Sequence, residues 1–385
     1  MRPSRWLSGA ALATASVLAA AAHGEWSHAG LRAHVGPPSA PHAMPGGDAE
    51  RSHRPATTLG STPRVERRLR VAYGVGRGLV TREDGGFLVL HPTARASRFD
   101  AQGKLLGTLK LSAEPASAPV VTSGGSTAFV AGGELQMVDG RGQLRAHTAL
   151  GDADFNARSI LATRDGGVVV ASNTSIVKVS AFGDVVWRRP SPETTLELLE
   201  TAGSLWYVTA PGSVYRIDDA GRSSKLGELG ATAHAVTSGN GGRTLLARTG
   251  SYRLVSFDLG EHRLRASVED ATLELDGPVL LSREQLSHAF TSDGLLVRYR
   301  ADGSEVQRVP IDPGARKAPG FDDALLLSDG RLLMARAGAD VAVVSPGGEV
   351  SSIPSSACPD PLGLYAAGPR AVLLACRSGN MLRLE

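Results

Sequence analysis

Beyond residue 64 the chain repeats itself about every 40 residues, and that period constrains its fold more than any other feature. One pattern recurs: an alternating apolar run, a small polar residue or Asp, two residues, Gly, then a second alternating run. It reads SRFDAQGKLLGTL in the first unit, VKVSAFGDVVWRR in the third and VRYRADGSEVQRV in the sixth. The turn glycines are Gly103, Gly142, Gly183, Gly221, Gly260, Gly303 and Gly347, at intervals of 39, 41, 38, 39, 43 and 44 residues. Alternation such as Ile176-Val177-Lys178-Val179 has period two, which turns one strand face into a core. The Asp-x-x-Gly that follows supplies a capping side chain and a residue tolerant of positive φ. Each signature is therefore a hairpin.

Two further strands precede each hairpin, such as SILATRDG and GVVVASNT in the third unit and LELLETAG and SLWYVTAPG in the fourth. Four short strands per unit is the pattern of a β-propeller blade, and no long amphipathic helix pattern competes. Seven complete units run from about Arg77 to Pro354. After Cys358 come three more strands, GLYAAG, RAVLLACRSG and NMLRLE, while a spare alternating strand, Val65 to Tyr73, precedes the first unit. Pairing the spare strand with those three makes an eighth blade and removes the open sheet edges. The expected fold is all-β: a single β-propeller of eight four-stranded blades, closed by the N-terminal strand. Seven blades is the alternative, should residues 231–311 merge into one unit.

The regions outside the repeat set the expected domain layout: 1–24 a signal peptide, 25–64 a disordered linker, 65–385 the propeller. Arg2 and Arg5 open the chain, an apolar Ala-rich run follows from Leu7 to Ala22, and small residues lie where signal peptidase cuts, at Ala20-Ala21-Ala22 or Ala22-His23-Gly24. The run of 16 residues is shorter than a membrane span needs, so cleavage rather than anchoring is expected, with a periplasmic or secreted product. From Glu25 to about Pro63 the composition shifts to Pro, Gly, Ala, Ser and His without periodicity. Such a segment cannot bury enough apolar surface to offset its ordering entropy. His23, His28, His34, His42 and His53 are irregularly spaced and read as linker rather than a metal tail. The two cysteines, Cys358 and Cys376, suggest one disulfide in an exported chain. Mirroring the hairpin at Gly368-Pro369 sets Cys376 opposite Pro361, near Cys358 but not aligned; two buried free thiols is the alternative.

Of the 41 basic and 38 acidic residues, residues 1–64 hold six and three, leaving 35 of each in the propeller. A nucleic-acid surface would show a basic excess there. The units resemble the repeats of pyrroloquinoline-quinone-type β-propellers, best in the second, APVVTSGGSTAFVAGGELQMVDGRGQLRAH, and the third, GGVVVASNTSIVKVSAFGDVVWRR. That superfamily includes quinoprotein alcohol dehydrogenases and the propeller of the outer-membrane barrel-assembly lipoprotein. The resemblance implies architecture. Only Trp187 matches the family's repeated Trp at the end of the last strand, the two cysteines are 18 apart rather than adjacent, and no residue matches the catalytic Asp or calcium ligands. No quinone, other cofactor or metal is therefore expected, and fold analogy does not license a reaction.

Asp152-Ala153-Asp154-Phe155-Asn156 begins like a calcium loop, but Ala157 and Thr163 occupy the Gly and Glu positions. Ser175-Ile176-Val177-Lys178 matches Ser-x-x-Lys, which needs a helix to bring both side chains to one face. Gly74-Val75-Gly76-Arg77-Gly78 lacks the last glycine of a dinucleotide loop and a following helix. His91 is the one propeller histidine expected near a rim loop, with a structural role the better reading; Trp206 and Tyr207 read as packing between blades. No catalytic residue is assigned. The expected function is a non-enzymatic, monomeric scaffold for a protein or peptide partner, or a small ligand, at a propeller rim, with no nucleic acid and no membrane insertion. The alternative is a diverged quinoprotein-like or metal-dependent enzyme in the axial pocket, for which Asp152, Asp154, Asp322 and Asp323 are the dense acidic candidates.

Overall fold

A computed structural model describes residues 48, 54–151, 155, 157–201, 203–239, 241–311 and 323–385. The segment expected to be a signal peptide, the expected cleavage sites, the five N-terminal histidines, Asp152, Asp154 and Asp322 lie outside the described residues. Eight four-stranded antiparallel sheets are present among the described residues, seven with their strands in sequence order and one that joins the first strand of the chain to the last three. Blade 1 consists of Gly78–Thr81, Phe87–Leu90, Arg95–Phe99 and Leu105–Lys110. Residues 231–311 form two separate blades, 5 and 6, rather than one.

Contacts between successive blades run largely through their first strands, which therefore surround the axis. The second strands are sandwiched between neighbouring blades, and Val168–Ala171 is buried at every position. That double burial explains its unbroken apolar run, because both faces need apolar side chains. Each fully buried Val or Leu there contributes roughly 1.5–3 kcal/mol. The fourth strands lie outermost. In Val185–Pro190 only Trp187 is buried, and it packs on the next blade: a Cβ at Gly221 would lie 2.6 Å from the indole. Gly221 is thus required twice over, by that approach and by its φ of 79°.

Blade 8 closes the ring as the repeat count implied. Pro361–Ala366, Val372–Cys376 and Asn380–Leu384 pair in order, and Val65–Arg70 adds the fourth strand against Asn380–Leu384. Pro361 is the partner of Cys376, and Cys358 reaches it from the irregular chain before the strand to form the disulfide, with Cα atoms 5.5 Å apart.

The hairpin turns are capped as their sequences require. Asp100 accepts the backbone N–H groups of Gln102 and Lys104 at 3.0 and 2.8 Å, and Ser180 does the same for Phe182 and Asp184. Five of the seven turn glycines have positive φ. In blade 5 that conformation falls instead on His262, at 56°, and in blade 7 on Gly348, at 92°. The blade 5 turn is one residue longer than that of blade 1, whereas the blade 7 turn has the usual length and Gly348, three residues after Ser345, is the residue that reverses the chain.

Because strands alternate in direction, the first-to-second and third-to-fourth turns of every blade share one face, here called the lower face. The stretch read from sequence as linker through residue 64 is fastened there at its C-terminal end. Thr58 N–H donates to the Pro369 carbonyl, and Ser328 N–H donates to that of Thr57. Leu59 is buried.

Candidate functional site

The residues singled out in the sequence divide into those the fold consumes and those it leaves. His91 is fully buried: one ring nitrogen lies 2.7 Å from the Gly74 carbonyl oxygen and the other 2.7 Å from Ser97 Oγ. Burial lowers its pKa, opposed by the Gly74 hydrogen bond. Its role is to pin the connection from blade 8 to blade 1. The Gly74–Gly78 stretch is that connection, held by Val75 N–H on Arg377 and Gly76 N–H on Leu90. Ser175–Val179 is a strand, so Ser175 and Lys178 point to opposite faces; Lys178 pairs with Asp165. Tyr207 is fully buried and stacks on Tyr215 with ring centroids 4.7 Å apart, and Trp206 is buried beside it.

Of the four acidic candidates only Asp323 is among the described residues. Its carboxylate accepts the Leu364 N–H at 2.8 Å, joining the first strands of blades 7 and 8. Among the described residues no group of three or more His, Cys, Asp or Glu is placed to hold a metal.

On the lower face a second set of contacts ties several blades to the next. Arg98 donates to the Gly140 carbonyl and Arg383 to that of Ala101, each reaching the third-to-fourth turn of the following blade. Thr148 and Arg189 do the same toward Gly183 and Ala220 from fourth strands. The grooves between blades open beside these clamps.

Two of those grooves differ. Between blades 7 and 8 the segment Thr57–Gly60 crosses the groove in extended form. Ser328 takes the Thr57 carbonyl through both N–H and Oγ, Arg331 takes the carbonyls of Leu59 and Gly60, and Thr57 Oγ1 donates to Gly368. The Leu59 side chain joins the apolar cluster containing Leu333 and Val343. Between blades 6 and 7 there is instead a cavity of about 250 Å³, lined by Ser282, Glu284, His288, Arg298, Ser328 and Asp329 among others.

Cross-strand register shows that the two grooves are built at the same place in the repeat. His288 pairs with Arg298 as Leu333 pairs with Val343. The counterparts of His288 in the other blades are Leu88, Ala128, Val169, Trp206, Leu246, Leu333 and Leu373, all apolar or aromatic. Blade 6 alone places an imidazole there, 3% exposed, and neither ring nitrogen has a hydrogen-bond partner among the described residues. Burial, with the adjacent Arg298 charge, pushes its pKa down to about 3. Arg298 is also 3% exposed. It donates to the carbonyls of Ser345 and Pro346 and to Gln307 Oε1, while its Nε–H has no partner among the described residues. Among the described residues no carboxylate pairs with it. Sequence reasoning passed over both residues, because SHAFT and LLVRY each read as an ordinary strand. Superposing the eight units on one another was the signal that would have found them.

No family model matches the chain, and no curated relative matches it. Solved structures do. BamB from Moraxella catarrhalis is 14% identical, with TM-score 0.65, over 84% of this chain and all of the other. The Dos1 propeller is 10% identical, with TM-score 0.66, over 84% and 95%. Virginiamycin B lyase from Staphylococcus aureus is 11% identical, with TM-score 0.54, over 83% and 98%. At these identities the likeness is one of fold, and the fold alone is shared: this chain is an eight-bladed β-propeller.

Proposed function

We propose that this chain is an exported, non-enzymatic scaffold whose lower rim binds an extended segment of a partner protein. One observation carries the reading: the rim already seats an extended polypeptide, Thr57–Gly60, through backbone carbonyls and one buried side chain. Such seating uses groups that any extended chain presents, with selectivity left to the side chain that enters the groove. The Cys358–Cys376 disulfide and the leader-like N-terminus support an oxidising compartment. BamB and the Dos1 propeller among the structural neighbours are consistent with a propeller in a binding role.

The experiment places a photo-crosslinking amino acid at Glu284 on the lower face and, separately, at exposed Asn173 on the upper face, in the chain expressed with its leader. A defined partner captured from Glu284 and not from Asn173 is expected. Capture from neither face would remove the scaffold reading. The same preparation yields the mature N-terminus, expected at residue 23 or 25; an uncut chain retained in the cytoplasm would overturn export.

A further inference from the structure

Resting on that reading, we propose that the groove between blades 6 and 7 docks an extended partner segment by admitting one of its Asp or Glu side chains against His288 and Arg298. The neighbouring junction shows what kind of occupant such a groove takes. Blade 7's first turn is common to both: Ser328 holds the Thr57 carbonyl on one side and lines the cavity on the other. Where Leu59 sinks toward Leu333 and Val343, an incoming side chain at the next junction would meet His288 and Arg298.

The chemistry of that pair selects a carboxylate. Arg298 is a buried cation, and a buried charge without a counter-ion is costly. Its Nη groups donate to Ser345, Pro346 and Gln307, while the Nε–H has no partner among the described residues. His288 brings one N–H donor in its neutral form and a second once protonated. A carboxylate accepts from both residues and neutralises the guanidinium, which an amide or an alkyl group cannot do. Burial holds His288 neutral at present; an anion beside it favours proton uptake, so binding and protonation are coupled. The other charged groups lining the cavity, Glu284 and Asp329, sit on exposed turns, and Arg331 pairs with Asp329 at 2.7 Å.

The test uses acetyl-Ala-Thr-Thr-Xaa-Gly-Ser-amide, which copies residues 56–61 with Xaa as Leu, Glu, Gln or Lys. Each peptide is titrated into the full chain carrying isotope-labelled histidine. The Glu peptide should bind at least about tenfold more tightly than the Gln and Lys peptides, shift the His288 ring resonances and raise the pH at which that ring titrates. His288→Leu, which restores the residue type of the other blades, should fold and lose this preference; Arg298→Gln should lose it as well. Equal affinity for Glu and Gln peptides, no binding, or binding that leaves the His288 resonances unmoved overturns the site. Capture from the Glu284 crosslinker that survives His288→Leu would sink the acidic-side-chain site while leaving the scaffold standing, so the two readings fail separately.

Discussion

The junction of blades 7 and 8 is sealed by an apolar side chain of the protein's own N-terminal segment, whereas the junction of blades 6 and 7 holds, at the same repeat positions, an imidazole without a hydrogen-bond partner and a guanidinium without a carboxylate among the described residues. The pairing of second and third strands is shared, and the side chains it presents to the groove differ. One groove is finished as core. The other has the composition of a binding site, with polar groups placed where stability alone would select Leu or Val.

Moving blade 6's residue into blade 7 breaks the comparison most directly. Leu333 is fully buried. Leu333→His should lose its transfer free energy and strand an imidazole, together roughly 4 kcal/mol. Guanidinium unfolding, read by near-ultraviolet circular dichroism, measures it. A loss below about 1 kcal/mol would mean that these grooves tolerate polarity generally, and His288 would lose its distinction.

The next largest effect is on pH dependence. His288 titrates near 6.5 when unfolded and near 3 when folded. Between those values the unfolded chain holds a proton that the folded chain does not, so stability is complete above about 6.5 and falls as pH is lowered toward 3. The slope approaches 1.4 kcal/mol per pH unit at most, or roughly 2 kcal/mol from pH 7 to 5. Burial lowers the His91 pKa in the same direction, so the His288 share is the part that disappears in His288→Leu. Identical pH profiles for the two proteins would show that the imidazole is not held neutral.

How much of this was legible in the sequence depends on whether a feature repeats. The ring, the blade count and the closing strand could be read because seven copies of one pattern reinforce each other, and because Val65–Arg70 and Asn380–Leu384 supply complementary parts of an incomplete unit. The pairing of Pro361 with Cys376 followed from one tight turn. The blade 5 turn deviated because a single inserted residue moves the positive φ along the chain to His262, and in blade 7 the second of two adjacent glycines, Gly348, holds the turn position. Leu59 was illegible for a different reason: one apolar residue among Thr, Gly, Ser and Pro has no period, and its burial depends on turns about 270 residues away. His288 was hidden in plain alternation. Only knowledge of which strand face meets the next blade separates it from the exposed His234.

On the sealed side, Leu59→Ser should cost roughly 2 kcal/mol by withdrawing one Leu from the core, with protease cleavage near Thr57 as the local readout. The hydrogen bonds from Ser328 and Arg331 would remain available, so the segment should loosen rather than leave. Cleavage no faster than in the wild type would mean that the carbonyl contacts, not the side chain, hold it. The seated-peptide argument would then rest on backbone recognition alone.

The smallest effect runs the opposite way. His288→Leu replaces a buried, unpartnered imidazole by the residue type found at the same position in blades 1, 5, 7 and 8, and should stabilise the protein by roughly 1 kcal/mol. The gain stays small because Arg298 remains buried beside the new side chain without a carboxylate, and the alkyl group desolvates it further. Combining His288→Leu with Arg298→Val, which reproduces the Leu333–Val343 pair, should therefore give more than the sum of the two single changes, since the residues touch the same cavity. A double variant that is more stable than the wild type but blind to the Glu peptide would show that this junction trades stability for recognition. One that is less stable would mean that the imidazole and guanidinium support the blade interface itself, and the contrast with the Leu59 junction would be one of packing rather than of binding.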